Sequence, residues 1–282
     1  MNLLYRLLAL LAMLVLMPGV ASERIVSVNG TLTEIIYALG AQERLVGVDT
    51  TSRYPHEVET LPNVGYQRSL SAEGILALTP DRVLASEAAG PPTVLEQLRT
   101  VGIEVDVIKT EESIEGVINK VRQVARLLGL EERGEVVVAA IQADAAELEQ
   151  ALAQYTSRPQ VLFLLNIGQG NDLAGGAATS ADAMIRLAGA VNVMAPAFEG
   201  YKPLSAEAAI AAAPEVILLT ERNLETLNGA AGIMNRAGLA HTPAGQTGRI
   251  VAMDGLYLLG FGPRTPSAAQ TLARRLRGLD EH

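Results

Sequence analysis

G-Y-Q-R-S-L-S-A-E (65–73) and G-Y-K-P-L-S-A-E (200–207) are two versions of one pattern, one in each half of the chain. The match runs on. Glu73 opens E-G-I-L-A-L-T-P-D-R-V-L, and Glu207 opens E-A-A-I-A-A-A-P-E-V-I-L. An earlier pair precedes them, T-E-I-I-Y-A-L-G-A (33–41) and A-D-A-M-I-R-L-A-G-A (181–190). Two matches in the same order point to a duplicated architecture, so each half should be one structural unit.

Outward from these repeats, the parts alternate in type. Ile25–Val28 is a short β-branched run, and Leu45–Val48, Arg82–Ala85 and Glu104–Ile108 also read as strands. Thr31–Leu39, a Ser71-capped segment through Leu78, and Pro92–Val101 have helical spacing. The second half repeats the scheme. Gln160–Leu165, Glu215–Leu219 and Arg249–Ala252 predict strands, and Thr179–Ala188 and Glu207–Ala212 predict helices. Short apolar strands alternating with helices imply parallel sheets covered on both faces. The fold class is therefore α/β, with two small parallel-sheet lobes. Between them, Ser113–Leu128 predicts one helix. A second, from Glu131 to about Tyr155, carries Val136, Ala140, Ala143, Leu148 and Leu152 at helical spacing. It has no Pro and only Gly134, unlike a flexible linker. A rod of about 24 residues spans roughly 36 Å. Such a rod would leave a ligand cleft between the lobes that opens little. The expected division is a signal segment at 1–22, a first lobe at 23–130, a bridging helix at 131–156 and a second lobe at 157–282.

The N-terminus reads as a targeting segment: Arg6, the apolar run Leu7–Met17, the break at Pro18-Gly19, and small residues at Ala21 and Ser22. The run has eleven residues, against roughly 20 for a membrane span. An uncleaved anchor is the alternative, but the reading favours cleavage and export to the periplasm. Net charge is −9, which excludes a phosphate-backbone binder that needs a basic face. There is no Cys, hence no disulfide, no thiolate chemistry and no lipid-anchor thiol. The three His residues are His56, His241 and His282, too few and too scattered for a His-built zinc site.

R-I-V-S-V-N-G-T-L-T-E-I-I-Y-A-L-G (24–40), the paired S-A-E elements and the bridging helix together resemble the binding proteins that serve ferric-siderophore, cobalamin and haem importers. The resemblance covers essentially all of 23–282. It narrows to the haem-binding branch on V-G-Y-Q-R-S-L-S-A-E (64–73), A-G-G-A-A-T-S-A-D-A-M-I-R-L-A-G-A (174–190) and E-G-Y-K-P-L-S-A-E (199–207). It implies a monomeric periplasmic carrier that binds haem between its lobes. The carrier delivers it to an inner-membrane ABC permease with its ATPase, and an outer-membrane haem receptor is a candidate supplier.

Tyr66 follows Gly65 in a loop before the Ser71 helix and should project into the cleft. In the haem-binding relatives the Tyr of this motif ligates ferric iron. A phenolate is a hard anionic donor suited to Fe(III). An ordinary Tyr ionises near 10, so ligation needs the iron's charge or a nearby cation, and Arg68 stands two residues away. The plainer alternative is an aromatic that packs on its own loop. Arg222 follows the strand ending near Leu219, where strand ends face a ligand crevice. It resembles an Arg that contacts the porphyrin in relatives, and its planar fork suits a propionate. Pairing with Glu221 or Glu225 is the alternative. Arg53 is a weaker candidate for the same task. Tyr201, the counterpart of Tyr66, should stand on the facing wall, as a packing or hydrogen-bonding residue rather than a second ligand. Some relatives place a His in the stretch matching N-I-G-Q-G-N-D (166–172), which holds none here. That favours one haem. Glu73 and Glu207 match glutamates that dock on permease arginines in the family; alternatively they serve only the first-turn dipole of their helices. His56 and His241 match no ligand position.

The competing readings are a ferric siderophore or cobalamin in the same fold, or an enzyme. Siderophore sites in this superfamily favour Trp, and this chain has none; a cobalamin site would not need Tyr66. No G-x-S-x-G elbow, P-loop or nucleophilic Cys supports catalysis.

Overall fold

The structure is a computed structural model that describes residues 22–166, 172–236 and 238–279. Residues 1–21 of the expected signal segment, residues 167–171 and His282 lie outside the described residues.

The first sheet is built as the sequence predicts. Strands β1 (Ile25–Val28), β2 (Leu45–Val48), β3 (Arg82–Ser86) and β4 (Glu104–Ile108) run in the order β2-β1-β3-β4, all parallel. Both faces are covered, which is why β1 is apolar without alternation. Val26, Val28 and Val83 pack on one side with Ile75 and Leu98. Ile25 and Leu84 pack on the other with Ile36 and Val121.

The second sheet departs from expectation. Strands β5 (Gln160–Asn166), β6 (Asp172–Gly175), β8 (Tyr201–Pro203), β9 (Val216–Thr220) and β10 (Ile250–Met253) run in the order β10-β9-β5-β6-β8. The short β7 (Val191–Asn192) also pairs with β5. β9, β10 and β7 join in parallel, but β6 and β8 are antiparallel. The three strands expected from the sequence, β5, β9 and β10, pair in parallel as expected, and β6 and β8 add an antiparallel extension absent from the sequence reading. A parallel partner needs a crossover of a dozen or more residues, and only residues 167–171 separate β5 from β6.

Helices Ile114–Leu127 and Glu131–Ala153 lie between the sheets in sequence. The second has 23 residues, about 35 Å of helix. Its packed face is Gly134, Val138, Ile141 and Leu148. Val136 is 71% exposed, and Ala140 and Ala143 are exposed too, so the phase read from the sequence is off by part of a turn. Gly134 shows why the face lies there: a Cβ at this position would sit 2.6 Å from the Ala125 Cβ. The two helices touch backbone to side chain at that point.

One continuous core joins Ile36 and Val121 to Ile141, Phe163, Leu218 and Leu272, so both sheets share it. A polar seam reinforces the junction. Arg264 donates from Nε and Nη2 to the two Glu34 carboxylate oxygens at 3.0 and 2.8 Å. Its guanidinium lies 3.4 Å from the Tyr54 ring centroid and 4.9 Å from that of Tyr257. The Thr31 hydroxyl donates to the Gly260 carbonyl at 2.7 Å.

Lys120, 3% exposed, donates to the Phe261 carbonyl at 3.1 Å. Burial lowers its pKa to about 8, against opposing attraction from Glu112, Glu87 and Glu34. With the folded pKa below the unfolded one, the unfolded chain binds more protons between pH 8 and 10.5. Folding stability should therefore rise across that window. The gain is on the order of 3 kcal/mol. Chemical denaturation at pH 7 and pH 10.5 should show it in the wild type and not in Lys120→Met.

Candidate functional site

The carboxyl ends of the strands in the two sheets face each other. Residues just beyond β1 reach Gly260, beyond β10, and the Ser180 hydroxyl donates to Glu112, beyond β4, at 3.3 Å. This is where open α/β sheets place ligands.

Tyr66 stands on this face. Gly65 has φ 93°, a left-handed conformation that a side chain disfavours, and it turns the chain out of the sheet. A turn follows, closed by the Ser69 N–H donating to the Tyr66 carbonyl at 2.8 Å, with Gln67 and Arg68 at its centre. Gln67 points inward. Its Oε1 accepts from the Ser86 hydroxyl at 2.8 Å and from Asn29 Nδ2 at 3.3 Å, at the ends of β3 and β1. Its flanking residues are exposed: Tyr66 is 44% exposed, and its hydroxyl has no hydrogen-bond partner among the described residues. Arg68 has no carboxylate partner among them either.

Tyr201 is placed differently. Gly200, φ 75°, repeats the turn of Gly65, but Tyr201 enters β8 and pairs with Gly175. Its ring lies edge-on to Phe163 at 6.3 Å. Burial pushes its hydroxyl pKa up, opposed by hydrogen bonds with the Thr179 side chain and the Ala181 backbone. Glu112 adds to the rise and the Arg68 guanidinium works against it. The Tyr201 ring packs on Phe163 within its own lobe, whereas Tyr66 makes no ring contact among the described residues.

Arg222 is exposed in helix Glu221–Thr226, which begins where β9 ends, and among the described residues it pairs with neither Glu221 nor Glu225. Arg53 is exposed in the loop after β2; its Nε reaches the Thr50 carbonyl only at 3.5 Å. That loop is held from below by Asp49, fully buried, which accepts from the hydroxyls of Thr51 at 2.8 Å and Ser52 at 3.0 Å. Burial pushes the Asp49 carboxyl up, and those bonds oppose the rise.

Glu73 and Glu207 are both exposed in the first turns of helices Ala72–Leu76 and Ala206–Ala212. Ser205 caps its helix through a hydrogen bond from the Ala208 N–H at 3.1 Å, whereas Ser71, read as a side-chain cap, makes no such bond. The Glu207 carboxylate is held below its usual range by hydrogen bonds from its own backbone N–H and from Ser205. The His56 side chain is 90% exposed, beside Glu59, and His241 is exposed in a 3-10 turn. No cluster of three or more His, Asp or Glu able to hold a metal ion occurs among the described residues. No helix among them is long and apolar enough to cross a membrane.

The sequence reading missed Gln67, Asn29 and Ser86 as supports of the Tyr66 turn. Gln67 lay in plain view between Tyr66 and Arg68, but its inward direction is set by the turn. A separate cavity of about 420 Å³ lies at the opposite end of the second sheet, lined by Arg158, Glu215, Arg249 and Arg277. Arg249 and Arg277 there donate to backbone carbonyls, so their role is to tie the lobe together.

Comparison with known proteins agrees with this layout. The periplasmic haem-binding protein RhuT from Roseiflexus sp. RS-1, in apo form, is 44% identical, with a TM-score of 0.89 over 92% of this chain and 99% of that one. The periplasmic haem-binding protein HutB of Vibrio cholerae is 38% identical, with a TM-score of 0.82 over 91% of this chain and 99% of that one. A vitamin B12-binding protein of Vibrio cholerae serotype O1 is 26% identical over 256 residues, 91% of this chain and 90% of its own length. The family model described as periplasmic binding protein matches residues 25–256, and the chain therefore belongs to the periplasmic binding protein family.

Proposed function

We propose that the chain captures haem between its two lobes in the periplasm and passes it to an inner-membrane ABC importer. The single observation that carries this reading is Tyr66: an exposed phenol without a partner on a fixed turn, beside an unpaired Arg68. A ferric porphyrin asks for a hard anionic axial donor, and a neighbouring cation suits its propionates. Arg222 on the facing lobe offers a fork for a propionate, with Arg53 as a second choice. Tyr201 closes on the porphyrin as a packing wall, because its ring is already set edge-on against Phe163. The likeness to haem-binding structures at 44% and 38% identity supports haem over cobalamin, whose curated relative stands at 26%. The chain works as a monomeric carrier and not as an enzyme, and residues 1–22 serve its export.

Glu73 and Glu207 present one carboxylate from each lobe, and we assign them to docking on the permease. With both changed to Ala, haemin uptake through the reconstituted importer should fall about 100-fold while haemin binding stays at the wild-type level, since charge pairs broken at such contacts cost ~2–5 kcal/mol. Undiminished transport would sink the docking assignment and leave the binding reading standing.

A further inference from the structure

We infer that Gln67 is the residue that positions Tyr66 for the iron, an inference that rests on the haem-binding reading and deepens it. Three hydrogen bonds converge on this one residue. Its Oε1 takes two hydrogen bonds, from Ser86 Oγ at 2.8 Å and Asn29 Nδ2 at 3.3 Å. Its backbone carbonyl accepts the Gly90 N–H at 2.8 Å, and the Gly90 carbonyl accepts the Leu70 N–H at 2.9 Å. The turn 66–70 is thus tied to the ends of β1 and β3 and to the loop at Gly90.

The consequence is directional. Gln67 sits at the centre of the turn with its side chain aimed at the strand ends. That orientation sends its neighbours Tyr66 and Arg68 to the cleft, where both are exposed. A ligand held on a loop loses precision unless a second set of contacts fixes it. Here those contacts come from rigid strand ends, and Ser86 is 4% exposed, so water does not compete freely for the bond. With Oε1 doubly bonded on the inner side, the Gln67 Nε2 amide has no partner among the described residues. Positioning therefore lives in the acceptor end of this amide.

The discriminating pair is Gln67→Met, which keeps length and removes the acceptor, and Gln67→Glu, which keeps an acceptor. Ser86→Ala removes the stronger of the two donors. Each variant, purified as the full-length exported protein, is titrated with haemin. Dissociation is then followed by transfer to excess apomyoglobin, with the ferric–phenolate charge-transfer band recorded alongside. Gln67→Met and Ser86→Ala should release haemin about tenfold faster, the factor that ~1.4 kcal/mol represents. Both should also shift or broaden the band, with melting temperatures close to wild type, and Gln67→Glu should restore both readouts. If Gln67→Met keeps the wild-type band and release rate while Tyr66→Ala loses them, the positioning role is overturned and the Tyr66 reading stands. If Tyr66→Ala also keeps them, both fall together.

Discussion

Replacing Tyr66 by alanine is expected to remove the ferric–phenolate absorption and to weaken haemin binding by about 100-fold or more. A hydrogen bond to a charged group contributes ~1.5–3 kcal/mol, and loss of an axial donor is expected to cost at least as much; 100-fold corresponds to ~2.7 kcal/mol. Tyr66→Phe should lose as much. It keeps the ring and its contacts but lacks the oxygen, so it separates ligation from packing. The fold should not suffer in either variant, because Tyr66 is 44% exposed and its hydroxyl bonds nothing among the described residues. Tyr201→Phe should behave otherwise. Its packing is through the ring, edge-on to Phe163 within its own lobe, so the spectrum should be retained.

The second large effect lies in the polar seam that joins the two halves of the chain. Arg264→Met should destabilise the protein by about 3–5 kcal/mol, because it strands the Glu34 carboxylate, 5% exposed, without its bidentate partner. For a chain of this size that lowers the melting temperature on the order of 10 °C. Glu34→Gln combined with Arg264→Met should recover much of the loss, since no charge is then left buried. Differential scanning calorimetry of the three proteins reads both outcomes. Arg264 is wedged between the rings of Tyr54 and Tyr257, one from each half of the chain. Wild-type stability in Arg264→Met would mean that the shared core alone holds the junction.

What the sequence disclosed and what it hid follow from the range of the forces involved. β1, β2 and β3 are legible because strands buried on both faces are largely apolar runs, and β4, the edge strand, shows instead as an alternating Glu-Val-Asp-Val. The long helix is legible in extent but not in phase. Its alanines are equally compatible with either face, and only contact at Gly134 selects Val138 and Ile141 over Val136. β8 is hidden because Tyr201-Lys202-Pro203 is three exposed residues with a proline, and pairing with β6 alone makes it a strand. The Glu34–Arg264 clasp joins residues 230 positions apart, which no local pattern announces. At the cleft, Tyr66 and Arg68 stand out by repeat and residue type. The supports at Asn29, Gln67 and Ser86 do not, because a polar side chain near a turn is ordinary until its partners are known.

The measurement that bears most directly on haem carriage is a competitive titration of the purified protein with haemin and cyanocobalamin, followed by optical spectroscopy. The expected result is a saturable shift of the Soret band with a phenolate charge-transfer feature that depends on Tyr66, and no displacement by cyanocobalamin. Uptake of cyanocobalamin with no Soret change on adding haemin would contradict it.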